Sequence, residues 1–253
     1  MKPAVEIGMN RTGIGMSPMD SQDLIDNAAS ALPSMAGDGA SIAEMRDDYA
    51  KTGEPIGTVP PPMTVAGVIN AVMESIKGDS MASFIDKLGE RLAFERTGTR
   101  LYDAFITKCA GIDDEDMIPD IDLGVLQRFR DEEKEHFDML RAAIEELGGD
   151  PTVVTPSADV ASVTSLGVIQ VLGDPRTSVA QCVQAMLVAE LTDGDGWALL
   201  VEMAEDIGKE DLVESFQRAF LEEERHLEHM RAWNAAAVTG RDILPDGALD
   251  LDD

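Results

Sequence analysis

The sequence predicts an all-α protein: a four-helix bundle built from two duplicated helical hairpins with a long crossover, plus short extra helices and an N-terminal arm. Three observations point there. Aromatic residues are only 4% of the 253-residue chain, which is instead rich in the Ala, Leu, Met and Glu that favour helices over strands. Apolar residues recur at helical spacing from residue 64 onward. The chain also repeats itself once. AGVINAV at 66–72 matches LGVIQVL at 166–172, ERTGTRLYDAF at 95–105 matches ELTDGDGWALL at 190–200, and EEKEHFDML at 132–140 matches EEERHLEHM at 222–230. The order holds while the offset shrinks from 100 to 95 to 90 residues, which marks a duplicated supersecondary unit and not a solenoid.

Residues 1–62 are dense in Gly, Pro, Met and Asp, include TVPPPM at 58–63, and predict a partly irregular arm with one short helix at 41–50. The methionines have no regular spacing and carry no copper motif. Residues 63–238 form the bundle. Its first unit is a short helix over 66–72, long helices at 79–110 and 123–147, and a turn at GIDDEDMIPD between them. The stretch 148–162 is polar and proline-broken and reads as the crossover. The second unit adds a short helix over 166–172 and long helices at 176–207 and 209–236, joined near Gly208. Residues 239–253 read as an acidic tail.

A formal charge of −29 argues against nucleic acid and anionic membrane partners, which require basic surfaces. No segment approaches the roughly 18 uninterrupted apolar residues of a membrane span, and the first residues lack a signal-peptide apolar run. Cys109 and Cys182 make no CxxC pair. A cytoplasmic protein is expected.

The chemistry lies in the repeat. Residues three apart share a helix face, so Glu133 with His136, and Glu223 with His226, can each reach one point. Glu95 and Glu190 interrupt apolar stripes (Leu88, Leu92, Tyr102 and Ile106; Leu187, Trp197 and Leu200), and a carboxylate there must be paired or bound to metal. One Glu from each of two helices and Glu-x-x-His from each of the other two is the ligand set of dinuclear carboxylate bundles. Four crowded carboxylates repel; two divalent ions balance them, and imidazoles complete an oxygen–nitrogen sphere suited to iron or manganese. A lone EExxH would be a solvated acidic face. Two in register, each with its partner glutamate, predict a metal site.

On these residues, residues 64–236 resemble the ferritin-like di-iron carboxylate superfamily, nearest to the rubrerythrin-type domain but without a rubredoxin domain. The resemblance implies that Glu95, Glu133, His136, Glu190, Glu223 and His226 hold two iron ions, with manganese the alternative, and that Glu133 and Glu223 bridge them. Rubrerythrins carry a further carboxylate one turn beyond the third-helix glutamate; Asp193 stands there, and as Asp it leaves open whether it reaches the metal. Glu132 and Glu222 are candidates to orient the histidines, with a solvated face as the rival reading.

Gly98, Gly194 and Gly196 each cost a helix about 1 kcal/mol relative to Ala. Room for a small oxidant, a local π-bulge or loose packing would each account for them. Tyr102 and Trp197 point to the same core, where packing is favoured over a redox role. His229 falls about 120° off the ligand face and reads as a surface or outer residue. Cys109 reads as a small buried hydrophobe.

The resemblance implies an oxidoreductase acting on peroxide or dioxygen, in the manner of rubrerythrin-type peroxide reduction in oxidative-stress defence. With no CxxC pair, a separate electron-donor protein is implied. Manganese catalase, a di-iron oxidase or oxygenase, and a ferroxidase of the iron-storage class are the alternatives. A homodimer is expected, with the arm covering the partner subunit.

Overall fold

The computed structural model describes residues 18–31, 39–54, 56–57, 59, 78–112, 118 and 121–240. Every regular element among them is a helix: α1 (Pro18–Ser30), α2 (Ala40–Thr52), α3 (Gly78–Ala110), α4 (Leu123–Glu146), α5 (Pro156–Gly173), α6 (Val179–Asp206) and α7 (Glu210–Thr239). The predicted short helix at 66–72, much of the turn at 111–120 and the acidic tail beyond residue 240 lie outside the described residues. Among the described residues no helix is long and apolar enough to cross a membrane.

Helices α1 and α2 belong to one compact unit and α3–α7 to another. Helix α2 spans the predicted 41–50 segment; α1 was not anticipated. Neither α1 nor α2 has a buried residue, so no apolar stripe announces α1.

In the larger unit α3 packs along α4, α6 along α7, and contacts between α3 and α6 and between α4 and α7 close the group. Local chemistry sets the ends. Asp122 caps α4 by accepting from the Gly124 amide at 2.6 Å. Ser178 and Gln181 form a capping box that starts α6 at 179, three residues later than the periodicity indicated. Gly208, at φ 71, takes the left-handed conformation that reverses the chain between α6 and α7.

The crossover requires a correction. Residues 156–162 are helical, because Pro156 occupies the first turn, where a missing amide costs nothing. Thr155 caps the Ala158 amide, and Asp86 of α3 accepts from the Ser157 amide at 3.0 Å and its hydroxyl at 2.6 Å. Helix α5 then runs along α3, where Lys108 Nζ donates to the Asp174 carbonyl beyond its last turn at 2.6 Å.

The core falls into two apolar clusters. One gathers Leu101, Phe105, Leu126, Phe129, Met186 and Trp233; the other gathers Phe84, Leu88, Leu140, Trp197, Leu200 and Phe216. On each of these four helices buried ionisable side chains lie between the two clusters: Glu95 on α3, Glu133 and His136 on α4, Glu190 and Asp193 on α6, Glu223 and His226 on α7. The fold therefore holds a polar layer between two dry ones.

Candidate metal centre

All six predicted ligands meet in that layer, each with at most 2% of its surface exposed. Helix α3 supplies Glu95, α4 Glu133 and His136, α6 Glu190, and α7 Glu223 and His226. Ligand-type atoms of Glu133, Glu190, Glu223 and His226 lie within 4.8 Å of one another, as do those of Glu95, His136 and Glu223. A third grouping, Glu95, Glu133, Asp193 and Glu223, meets the same distance. Glu223 belongs to all three, and Glu95 and Glu133 to two each; of these carboxylates Glu223 reaches both histidines.

Both histidines turn Nδ1 inward. His136 Nδ1 is 2.8 Å from Glu223 Oε1 and 3.6 Å from Glu95 Oε2. His226 Nδ1 is 3.0 Å from Glu223 Oε2, 3.7 Å from Glu133 Oε1 and 3.8 Å from Glu190 Oε2. Both Nε2 atoms are held from outside, and the wiring crosses between the halves. Glu222 takes His136 Nε2 at 2.7 Å, and Glu132 takes His226 Nε2 at 2.7 Å. Sequence reasoning named Glu132 and Glu222 but not the crossing. Arg225 in turn donates to Glu132 at 3.0 Å.

Asp193 is also buried, and its partner is a residue the sequence reading missed. Arg91, 3% exposed, donates from Nε to Glu95 Oε1 at 3.2 Å and brings Nη2 to 2.9 Å from Asp193 Oδ1. Its guanidinium carbon also lies 4.2 Å from the centre of the Phe94 ring.

Close approach explains two of the three glycines, and neither a π-bulge nor space for an oxidant is needed. The helices are α-helical through all three. A Cβ on Gly98 would stand 1.9 Å from Glu133 Oε2, and one on Gly196 would stand 2.1 Å from Arg91 Nη1. Gly194 meets nothing within 4 Å.

Tyr102 donates its hydroxyl to Glu190 Oε1 at 2.6 Å, with its ring edge-on to His226. Trp197 stacks edge-on against His136 at 5.4 Å. His229 corrects the surface reading. It is 5% exposed, packed against Phe129 and Trp233, with Nδ1 2.8 Å from the Arg225 carbonyl oxygen. A 120° offset on a helix packed from several sides reaches another neighbour and not solvent. Cys109 and Cys182 are both buried, and burial together with Cys182 pushes the Cys109 thiol up to about 12.

Without metal, protons supply the charge balance. Burial opposes charge on His136, but Glu222, Glu223 and Glu95 outweigh it and push the imidazole up to about 12. His226 is raised in the same way, chiefly by Glu223 against burial. Burial and the Glu223 and Glu95 charges raise Glu133 well above the carboxylate range. Glu190 rises to about 8 through burial, with His226 pulling against it. Burial raises Asp193 well above its ordinary value, although Arg91 opposes that rise. Glu223 moves down: burial would raise it, but the two imidazoles prevail.

Compared with family models, curated proteins and solved structures, the chain matches none.

Proposed function

We propose that this chain is a ferritin-like, rubrerythrin-type metalloprotein whose four-helix layer holds two iron ions and reduces peroxide or dioxygen. The observation that carries the reading is the paired imidazole geometry. Two buried Nδ1 atoms face four carboxylates, while each opposite Nε2 is fixed by a glutamate. A carboxylate that holds the Nε2 proton leaves Nδ1 free as a metal ligand and sets the ring's orientation. The donor set fits hard-to-borderline divalent ions. Glu95 and His136 would frame one ion, Glu190 and His226 the other, with Glu133 and Glu223 between them. Buried oxygens of Glu95, Glu133 and Glu190 lack hydrogen-bond partners among the described residues, which is costly unless a cation binds them. The pairing of α3 with α4 and of α6 with α7, each pair bringing one Glu and one Glu-x-x-His, supports the duplicated-hairpin arrangement.

Two redox-active ions supply the electrons and Lewis acidity that peroxide reduction needs. The chain's own residues do the rest. The apolar clusters on either side exclude water from the layer. Tyr102 stays a neutral phenol, because burial and the Glu190 charge raise its pKa well above the usual value, and its hydrogen bond fixes the Glu190 carboxylate. With no CxxC pair to hold an iron site of its own, the proposed reaction draws its electrons from a separate donor protein.

The test is elemental analysis of protein purified without added metal, joined to peroxide consumption with and without a reductant. Two irons per chain and reductant-dependent peroxide loss are expected, and Glu133→Ala or Glu223→Ala should abolish both. Manganese with oxygen release replaces the iron peroxidase by a catalase. A chain that binds neither metal removes the proposal.

A further inference from the structure

The two halves of the site differ where their repeat should make them alike. At the 95-residue offset that superposes Glu95 on Glu190, Arg91 falls on Met186, Gly98 on Asp193 and Leu101 on Gly196. The three differences form one contact. Arg91 reaches Asp193, and Gly196 leaves the space the guanidinium fills. The opposite half has Met186 and Leu101 packed in an apolar cluster, with Glu133 against Gly98. One half has thus gained a buried cation, the other a buried anion and a cradle.

Charge arithmetic gives this pair a purpose. Four glutamates and Asp193 carry five negative charges. Two divalent ions supply four positive ones, and Arg91 the fifth. The compensation is lopsided: Arg91 also holds Glu95 and not Glu190, and Asp193 groups with Glu95, Glu133 and Glu223, with neither Glu190 nor either histidine.

We propose that the Arg91–Asp193 pair is a positioning device that makes the two metal positions unequal, with Arg91 weakening the Glu95/His136 position and Asp193 strengthening it. The inference rests on the dinuclear reading above. Arg91 competes for the Glu95 carboxylate and holds Asp193 as an ion-pair partner instead of a metal ligand. The Glu190/His226 position has Met186 and Gly98 at the corresponding places and feels neither constraint. The ion framed by Glu95 and His136 is accordingly the more weakly held.

The signs are opposite for the two partners, which makes the test sharp. Metal-free full-length protein is titrated anaerobically with Fe(II), and the step belonging to Glu95/His136 is identified by its loss in Glu95→Ala. Arg91→Met frees Glu95 and Asp193 and should tighten that step at least about tenfold; Asp193→Asn leaves Arg91 uncompensated beside the ion and should weaken it by a similar factor. The double substitution should return the step to within about threefold of wild type. It should also recover the metal-free thermal stability that either single change lowers, because it leaves no unpaired buried charge. Arg91→Met that weakens the step or leaves it unmoved, or a double variant no closer to wild type than the singles, overturns the inference. A wild-type chain that binds no divalent ion overturns the dinuclear reading and this inference together. Two ions bound with steps indifferent to both substitutions overturn this inference alone.

Discussion

Gly98→Ala separates the stability of the helix from the integrity of the site. Adding one methyl group to α3 places carbon 1.9 Å from Glu133 Oε2 and 2.7 Å from its Cδ. Ordinary contact begins near 3.4 Å, so the carboxylate must retreat by the difference, about 1.5 Å. Glu133 is 1% exposed and already has His226 Nδ1 3.7 Å from its other oxygen, so it has nowhere to go without disturbing the layer. Metal–ligand distances tolerate only about 0.2 Å, so if Glu133 bridges two ions as proposed, a displacement this large should cost about 100-fold in affinity. The metal-free fold should suffer far less: about 1 kcal/mol of helix propensity is gained against about 1–3 kcal/mol of overpacking. Gly194→Ala is the control, since a Cβ there meets nothing within 4 Å and the same propensity gain of about 1 kcal/mol comes without a clash. Metal titration and thermal melts of both variants check the pair. A Gly98→Ala chain that binds metal as wild type does would refute the bridging role of Glu133; equal losses in both variants would trace the effect to the helix and not to the carboxylate.

Metal-free protein should lose stability as pH rises from about 6.5 to 9. His136, raised from 6.5 to about 12, gives stability that is complete below 6.5 and lost as pH climbs through 12; Glu190, raised from 4.5 to about 8, behaves alike through 8. Metal requires deprotonated ligands, so the gain in Tm on adding Mn(II) should grow across the same window. A metal-free Tm that rises there contradicts the assignment. Glu132→Ala should weaken metal binding at the Glu190/His226 position and Glu222→Ala at the Glu95/His136 position, each by about 10–100-fold, with uncrossed effects ruling out the wiring. Asp86→Ala removes the acceptor that α3 lends to the first turn of α5, leaving the Thr155 cap in place, and should cost about 1 kcal/mol by chemical denaturation at neutral pH. Burial raises the Asp86 pKa, but the Ser157 hydroxyl and amide outweigh it and hold the group below 3.8, so this contribution exists above 3.8 and fades as pH falls. A deficit that persists undiminished in acid would mean the contact is not electrostatic.

The long helices were legible because their signals are local: an apolar period, a capping residue, a glycine after the last turn. The six clustered side chains were legible because the chain states them twice. What escaped depends on neighbours far along the sequence. Pro156 reads as a breaker until Asp86, on another helix, is seen to satisfy the amide behind it. His229 reads as exposed until Phe129 and Trp233 enclose it. Arg91 is the instructive case. In LGERLAFER it has a glutamate four residues on, the pattern of an ordinary solvated ion pair, and only the missing side chain at Gly196 shows that the guanidinium is inside. Yet a trace of it was present in the repeat. A repeat with six matched candidate ligands has no need of Arg against Met, Asp against Gly and Gly against Leu in one small volume, unless those differences answer one another. A buried cation without its anion, or either without the cradle, would be strongly destabilising. The similarities between the halves bring buried carboxylates and imidazoles within metal-binding distance of one another; the mismatches between them would give the two proposed positions different chemistry.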